Sequence, residues 1–424
     1  MTPGVNRGYK TLNAEGKITE VTAACGPIIY RDALFPAGFS GNAFVCEPSA
    51  NLVKRMLLIE KDGTLTGRNA YEGTEFLTST DERFRPVNLS SGPDGALYLV
   101  DMYHGILQHR IYMTTYLRKQ VEERDLAAGN GMGRIYRIVP DGTPVMKARF
   151  DLAHETPQQL VRHLLAANSW WRDTAQRLLV ERGDVSAVAP LRDLARTENS
   201  PALARLHALW TLDGLHQLDR ETVFAALACT DVRVATTAIR LSEKWLADSK
   251  DTEMFQHVLA ASAGSSPRVI LQKALSLGAA DSSAALAALA NIAGEHGRQL
   301  YVADAIVSGL AGREGDFIRG TFTIPHAENA ARAVTLAASS LVKSQDAKRT
   351  GEMFALLAPG TATPAWAQTA MLAGIERFLP KTPEGKPVPG TLSAEPTSLI
   401  KLAAQTDSAP GKKAAKLVGL LKWQ

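Results

Sequence analysis

Three residues able to do chemistry bracket one short stretch of the 424-residue chain. In FRPVNLSSGPDGALYLVDMYH (84–104), Arg85 stands near the start, and Asp101 and His104 stand at the end. Between them lie two apolar-rich runs, 86–91 and 96–101, around Gly92-Pro93-Asp94-Gly95, whose glycines supply the positive φ that a tight hairpin turn needs. If the runs pair as antiparallel strands, the start of the first lies beside the end of the second. A guanidinium, a carboxylate and an imidazole then share one face, where the imidazole is a candidate base or ligand. Each residue also has a plainer reading. Arg85 could pair with Asp81 or Glu82 in a loop, Asp101 could cap a turn through its side chain, and His104 could be a hydrogen-bonded loop histidine.

The preceding segment repeats the arrangement, with GPIIYR, the turn DALFPAGFSG, then NAFVCEP. Its open end puts Gly26 near Glu47 and Asn51. Successive sheet units with polar groups at one edge are the signature of propeller blades, whose loops converge on a central axis. That convergence predicts a pocket of Glu47, Asn51, Arg85, Asp101 and His104. Further β-rich runs at 18–24, 52–59 and 134–139 make residues 1–150 an all-β half. Within it, YMTTYLRKQVEERD (112–125) predicts a short charged helix, either a lid over the pocket or a surface insertion. Gly129-Asn130-Gly131-Met132-Gly133 precedes a strand, whereas a phosphate-binding loop runs from strand to helix, so it is not read as one.

From about Thr156 the apolar period becomes helical and stays so. Helices are predicted over 157–167, 171–181, 201–212, 232–246, 267–277, 284–295 and 328–342, several opening with Pro or following Asp. A pattern led by Arg172, Arg205, Arg233 and Arg268 recurs, with small and apolar positions three and four residues apart, as stacked helix pairs need to bury a continuous core. The uneven spacing favours HEAT-type repeats over stricter ones. The predicted fold class is therefore α+β and multidomain. It comprises a partial β-propeller of about two blades (1–150), a HEAT-like α-solenoid (151–345), and further helices over 346–424 interrupted by the Pro- and Gly-rich segment 380–396, read as a linker.

Composition narrows the function. Net charge is +4, with 21% charged residues of alternating sign, which does not favour nucleic acid as a partner. The three cysteines, Cys25, Cys46 and Cys229, form no CxxC or CxxCH, so there is no haem-attachment or zinc-ribbon motif here. Cys25 and Cys46 fall in adjacent predicted strands and are read as buried free thiols that could meet. No Gly-x-Ser-x-Gly or His-Glu-x-x-His motif occurs. His163, His207, His216 and His257 lie on helical patterns and read as packed or solvated. No signal-peptide pattern and no apolar run of membrane-spanning length is seen.

The segments CGPIIYRDALFPAGFSGNAFVCEPSANLVKR, FRPVNLSSGPDGALYLVDMYHGILQH and GRIYRIV, followed at once by HEAT-like helices, resemble a family of membrane-bound dehydrogenase-type proteins among large secreted bacterial proteins. In that family a six-bladed propeller similar to glucose/sorbosone dehydrogenases precedes HEAT repeats and commonly a C-terminal cytochrome c module. The resemblance covers roughly residues 1–310. It implies oxidation of a sugar or polyol, pyrroloquinoline quinone and calcium as cofactors, electrons passed to a cytochrome, and a periplasmic or secreted location. On that resemblance His104 would be the base, Arg85 and Asn51 would bind cofactor, and Asp101 and Glu47 would be cation ligands. A six-bladed propeller takes roughly 250–350 residues at four strands per blade, so the β half is expected to be an incomplete part of one and inactive by itself. It would associate with a missing N-terminal propeller region or with itself through open sheet edges. The alternative is a non-enzymatic binding or scaffold protein, with the solenoid holding a partner and the sheets serving as a docking platform.

Overall fold

The computed structural model describes residues 23–61, 63–144, 150–248, 251–261, 266–386, 388–392 and 395–423. The chain is α+β, with antiparallel sheets first and helices after. Its strands are β1 (Cys25–Ile29), β2 (Ala43–Glu47), β3 (Leu52–Lys61), β4 (Thr64–Asn69), β5 (Leu77–Thr78), β6 (Pro86–Ser91), β7 (Leu97–Asp101), β8 (Arg134–Ile138), β9 (Gly390–Leu392) and β10 (Leu421–Trp423). The helices before residue 250 are α1 (Thr115–Glu123), α2 (Pro157–His163), α3 (Ser169–Arg182), α4 (Val188–Arg196), α5 (Ala202–Gly214), α6 (Arg220–Leu227), α7 (Val232–Leu241) and α8 (Glu243–Leu246). After it come α9 (Thr252–Leu259), α10 (Pro267–Ser276), α11 (Ser283–His296), α12 (Val302–Ser308), α13 (Glu314–Gly320), α14 (Ala331–Lys343), α15 (Ala347–Leu356), α16 (Ala365–Phe378), α17 (Thr397–Ala403) and α18 (Ala409–Val418). Two compact units result, one of residues 1–194 with 210–216, the other of 195–209 with 217–424.

In the first unit β1 to β4 form an antiparallel meander, with β5 also on β3, and β6, β7 and β8 form a second antiparallel sheet. The two sheets meet face to face, because alternate residues turn inward: Phe44 and Cys46 from β2, Val53 from β3, Leu89 from β6, Leu97 and Leu99 from β7. Tyr30 sits fully buried among them with its polar tip answered. Its hydroxyl donates to the Gly95 carbonyl (2.9 Å) and accepts from the Leu34 and Phe35 amides (3.1 and 3.0 Å).

The predicted hairpin 86–101 forms in the expected antiparallel sense, with Leu89 opposite Leu99 and Pro86 opposite Asp101. Its turn is also an anchor for a helix. The Asn168 side chain donates to the Gly92 and Pro93 carbonyls (3.2 and 3.1 Å), and Trp171 Nε1 donates to Pro93 (2.9 Å), which seats the start of α3 against the turn. Four strands escaped the sequence reading: β4 and the two-residue β5 here, and β9 and β10 near the C-terminus. The strand expected over 18–24 lies outside the described residues as far as residue 22, and residues 23 and 24 are not in a strand. The helix expected near 112–125 is α1.

The four arginines of the predicted repeat are not equivalent. Arg172 and Arg205 are buried and donate to backbone carbonyls, Arg172 to Ala166 and Ala167 in the loop after α2, Arg205 to Ala195 of α4. Arg233 instead pairs with Asp231 (2.8 Å) at its own helix start. The half-buried Arg313 does both, donating to the Gly278, Ala280 and Gly309 carbonyls (2.8, 2.5 and 2.8 Å) and lying 3.5 Å from Asp281. The segment 380–396 contains no helix among its described residues, as its prolines require. It is not a bare linker, however, because β9 within it pairs parallel with β10, Leu421 opposite Gly390.

Aspartates open several helices of the second unit. Asp231 accepts from the Arg233 amide (2.9 Å) at the start of α7, and Asp251 from the Met254 amide (3.0 Å) at the start of α9. Hydrogen bonds from the Arg233 and Arg220 side chains, respectively, hold these carboxyls below the usual carboxylate range despite partial burial. A carboxylate depressed in the folded state contributes fully above its unfolded pKa of about 4 and loses that contribution as pH falls through the folded value. Melting followed by circular dichroism should thus be flat from pH 6 to 5 and fall below about pH 4. The fall should be blunted in Asp231→Asn; an unchanged midpoint down to pH 3 would contradict it.

Candidate functional site

The five residues singled out by sequence do meet at one edge of the sheets, and the link between them is Arg85. Its Nε donates to the His104 carbonyl (2.7 Å), Nη1 to Pro48 (2.8 Å) and Nη2 to Gly105 (2.8 Å). One guanidinium thus ties the β2–β3 turn, the start of β6 and the segment after β7. Burial draws the Arg85 pKa below the ordinary arginine value, against the pull of Glu82, Asp101 and Asp81. The expected pairing with Asp81 or Glu82 is not the main contact; backbone carbonyls are.

Asp101, 1% exposed, uses Oδ1 to accept from the Arg85 and Tyr103 amides (both 2.8 Å). That is the turn-capping reading, and it holds Tyr103 at φ +53°, a left-handed conformation that a bulky residue rarely adopts. The Arg134 guanidinium lies 3.7 Å from the Tyr103 ring centroid. Asn51, also left-handed at φ +57°, donates to the Phe84 carbonyl (2.6 Å) and so fixes the residue before Arg85. Glu47, again 1% exposed, accepts from the Ala23 amide through Oε2 (2.9 Å). His104 contributes its carbonyl; among the described residues its ring has no hydrogen-bond partner.

Sequence reasoning missed the acceptors. The carbonyls of Pro48, His104 and Gly105 organise the edge, and backbone atoms leave no residue-type signal. A Cβ at Gly105 would lie 2.4 Å from the Leu126 carbonyl. The segment just after α1 packs at that point, and Arg124 pairs with Glu82 while Arg83 donates to the Asp125 carbonyl (2.7 Å). With Leu117, Val121 and Leu126 forming a small core of their own, α1 is a fastened insertion.

Cys25 and Cys46 are cross-strand partners and both are free thiols. Cys46 is buried as expected, whereas Cys25 is only partly so. Burial, then the nearby Cys25, pushes Cys46 up to about 12, and burial followed by the Glu47 charge raises Cys25. Neither is a thiolate nucleophile at neutral pH. Of the helical histidines, the half-buried His163 stacks on Trp171 and the exposed His257 stacks on Phe224.

Calcium takes about six to eight oxygen ligands. Glu47 Oε1 and Asp101 Oδ2 are buried without a partner and are oxygens of the required kind. Among the described residues, however, no group of three His, Cys, Asp or Glu side chains could hold a metal ion. Arg85 has each guanidinium nitrogen on a carbonyl, which leaves it badly placed to grip a quinone's carboxylates. Among the described residues, clefts of about 420–550 Å³ are lined mainly by helical residues and by none of the five.

Residues 2–142 match a family described as Domain of unknown function (DUF7133). The match spans about a third of the chain and ends just after β8. No curated protein and no solved structure matches the chain. Among the described residues no helix is long and apolar enough to cross a membrane.

Proposed function

We propose that the chain is the structural and docking part of a propeller-type, dehydrogenase-like protein. In this reading the two sheets are neighbouring propeller blades and the helices are a HEAT-type stack that presents a surface to a partner. The partner is a further propeller segment or a cytochrome c module, in a periplasmic or secreted setting. The observation that carries it is the engagement of Arg85 with three carbonyls, which makes the polar edge a clasp between loops. Meander sheets packed face to face, with helices following directly, support the blade-and-repeat assignment.

A second reading, turnover of a sugar or polyol with pyrroloquinoline quinone and calcium at this edge, is favoured by the unpartnered oxygens of Glu47 and Asp101. Calorimetry separates the two. Titration of the chain with the quinone in the presence of calcium is expected to give no saturable heat, and Asp101→Asn is expected to melt close to the parent because Oδ1 is retained. Saturable binding that Asp101→Asn abolishes would overturn the docking reading.

A further inference from the structure

A cleft of about 510 Å³ lies between α12, α13, α14 and the end of α16, within the second unit. Its geometry is set by Gly374. A Cβ at that position would lie 2.5 Å from the Thr335 carbonyl and 3.0 Å from the Ser339 amide, so only glycine lets α16 approach α14 so closely. Arg377 follows Gly374 by three residues and Lys343 follows Ser339 by four, so each cation stands one turn on along the same helix face. Both line the cleft, as does Ser339. Ser339 is 3% exposed, and its hydroxyl has no hydrogen-bond partner. A buried orphan hydroxyl at a cleft wall is an offer to a ligand, because leaving it unanswered is costly.

The charges are unequally matched. Of the two lining carboxylates, Asp304 pairs with Arg332 (2.9 Å). Glu314 accepts from the Gly312 amide (3.0 Å) and the Ser340 hydroxyl (3.2 Å), and lies 3.6 Å from Arg349. Lys343 and Arg377 are exposed and, among the described residues, have no ion-pair partner. The acids are answered and the cations are not.

We propose that this cleft binds a small organic oxyanion. A carboxylate or phosphate would be held by Lys343 and Arg377, and an inner hydroxyl or amine would meet Ser339. The volume suits a small molecule, and Glu314 opposes a second negative charge deeper in. Arginine offers paired donors to an oxyanion and lysine a mobile point charge.

Calorimetry at low ionic strength, where surface charge is least screened, tests this with inorganic phosphate, glycerol 3-phosphate and glycerate. One-to-one binding is expected for at least one of the two organic anions, and which one binds distinguishes phosphate from carboxylate. The double variant Lys343→Met/Arg377→Met should lose about tenfold or more in affinity, as the removal of charged hydrogen bonds implies. Ser339→Ala should weaken the organic anion and leave inorganic phosphate unaffected. It should melt no lower than the parent, since the hydroxyl it removes has no internal partner. The inference is overturned if neither organic anion saturates by ~10 mM, if the double variant binds as the parent does, or if Ser339→Ala lowers the melting temperature while leaving affinity intact.

Discussion

Gly26→Ala is expected to cost the sheet unit about 3–5 kcal/mol, the sum of a left-handed backbone penalty and a steric clash. Gly26 sits at φ +51° in the irregular stretch of β1, where pairing with β2 shifts between Cys25 and Ile28. A Cβ there would lie 2.4 Å from the Val87 carbonyl and 2.5 Å from Asn88 Cα. Both obstacles are backbone of β6, which is held by its ladder with β7, so neither can yield as a flexible side chain would. Gly41→Ala is the control, because Gly41 has φ +78° but open space around its missing Cβ. It should lose only the backbone part, about 1–2 kcal/mol. Urea unfolding of both variants decides the matter; equal losses would mean that β1 and β6 do not approach as described.

Arg85→Ala should rank second, at about 3 kcal/mol or more, because it strands three carbonyls that now share one charged donor group. Arg85→Lys should recover less than half of that loss. An ammonium is a compact point charge and cannot reach acceptors at Pro48, His104 and Gly105 together, as the planar fork does. Hydrogen exchange should accelerate in 48–51 and 102–106 in both variants. Full recovery by lysine would show that charge alone matters at this edge, and would reopen the binding role first considered for Arg85.

The hairpin 86–101 was legible because its turn residues and its strand alternation point the same way. The β4 segment, TLTGRN, was not legible: it is polar, contains Gly67, and becomes a strand by pairing with the long β3. The pairing of β9 with β10 joins residues about thirty positions apart across α17 and α18, and no local pattern announces such a contact. At the candidate site, the residues singled out by sequence lie at one sheet edge, and their partners there are main-chain groups that the sequence did not announce. Arg85, Asp101 and Asn51 converge as their positions at strand ends require, yet each binds main-chain atoms whose places depend on the finished fold. The same holds for Arg172 and Arg205, read as charges at helix starts and found as buried donors to neighbouring carbonyls.

That recurring use of arginine separates two kinds of fastening by what acid does to them. A peptide carbonyl has no proton to gain in the range where aspartate is discharged, and a guanidinium does not lose its own there. The guanidinium clasps at Arg172 and Arg205 therefore rest on acceptors that acid does not discharge, whereas the aspartate caps of α7 and α9, the Asp101 cap beside Arg85 and the Asp281 partner of Arg313 do gain a proton. Acidification should release the aspartate-held helix starts before the carbonyl-bound clasps of Arg172 and Arg205, so the order of disassembly is written in the choice of acceptor.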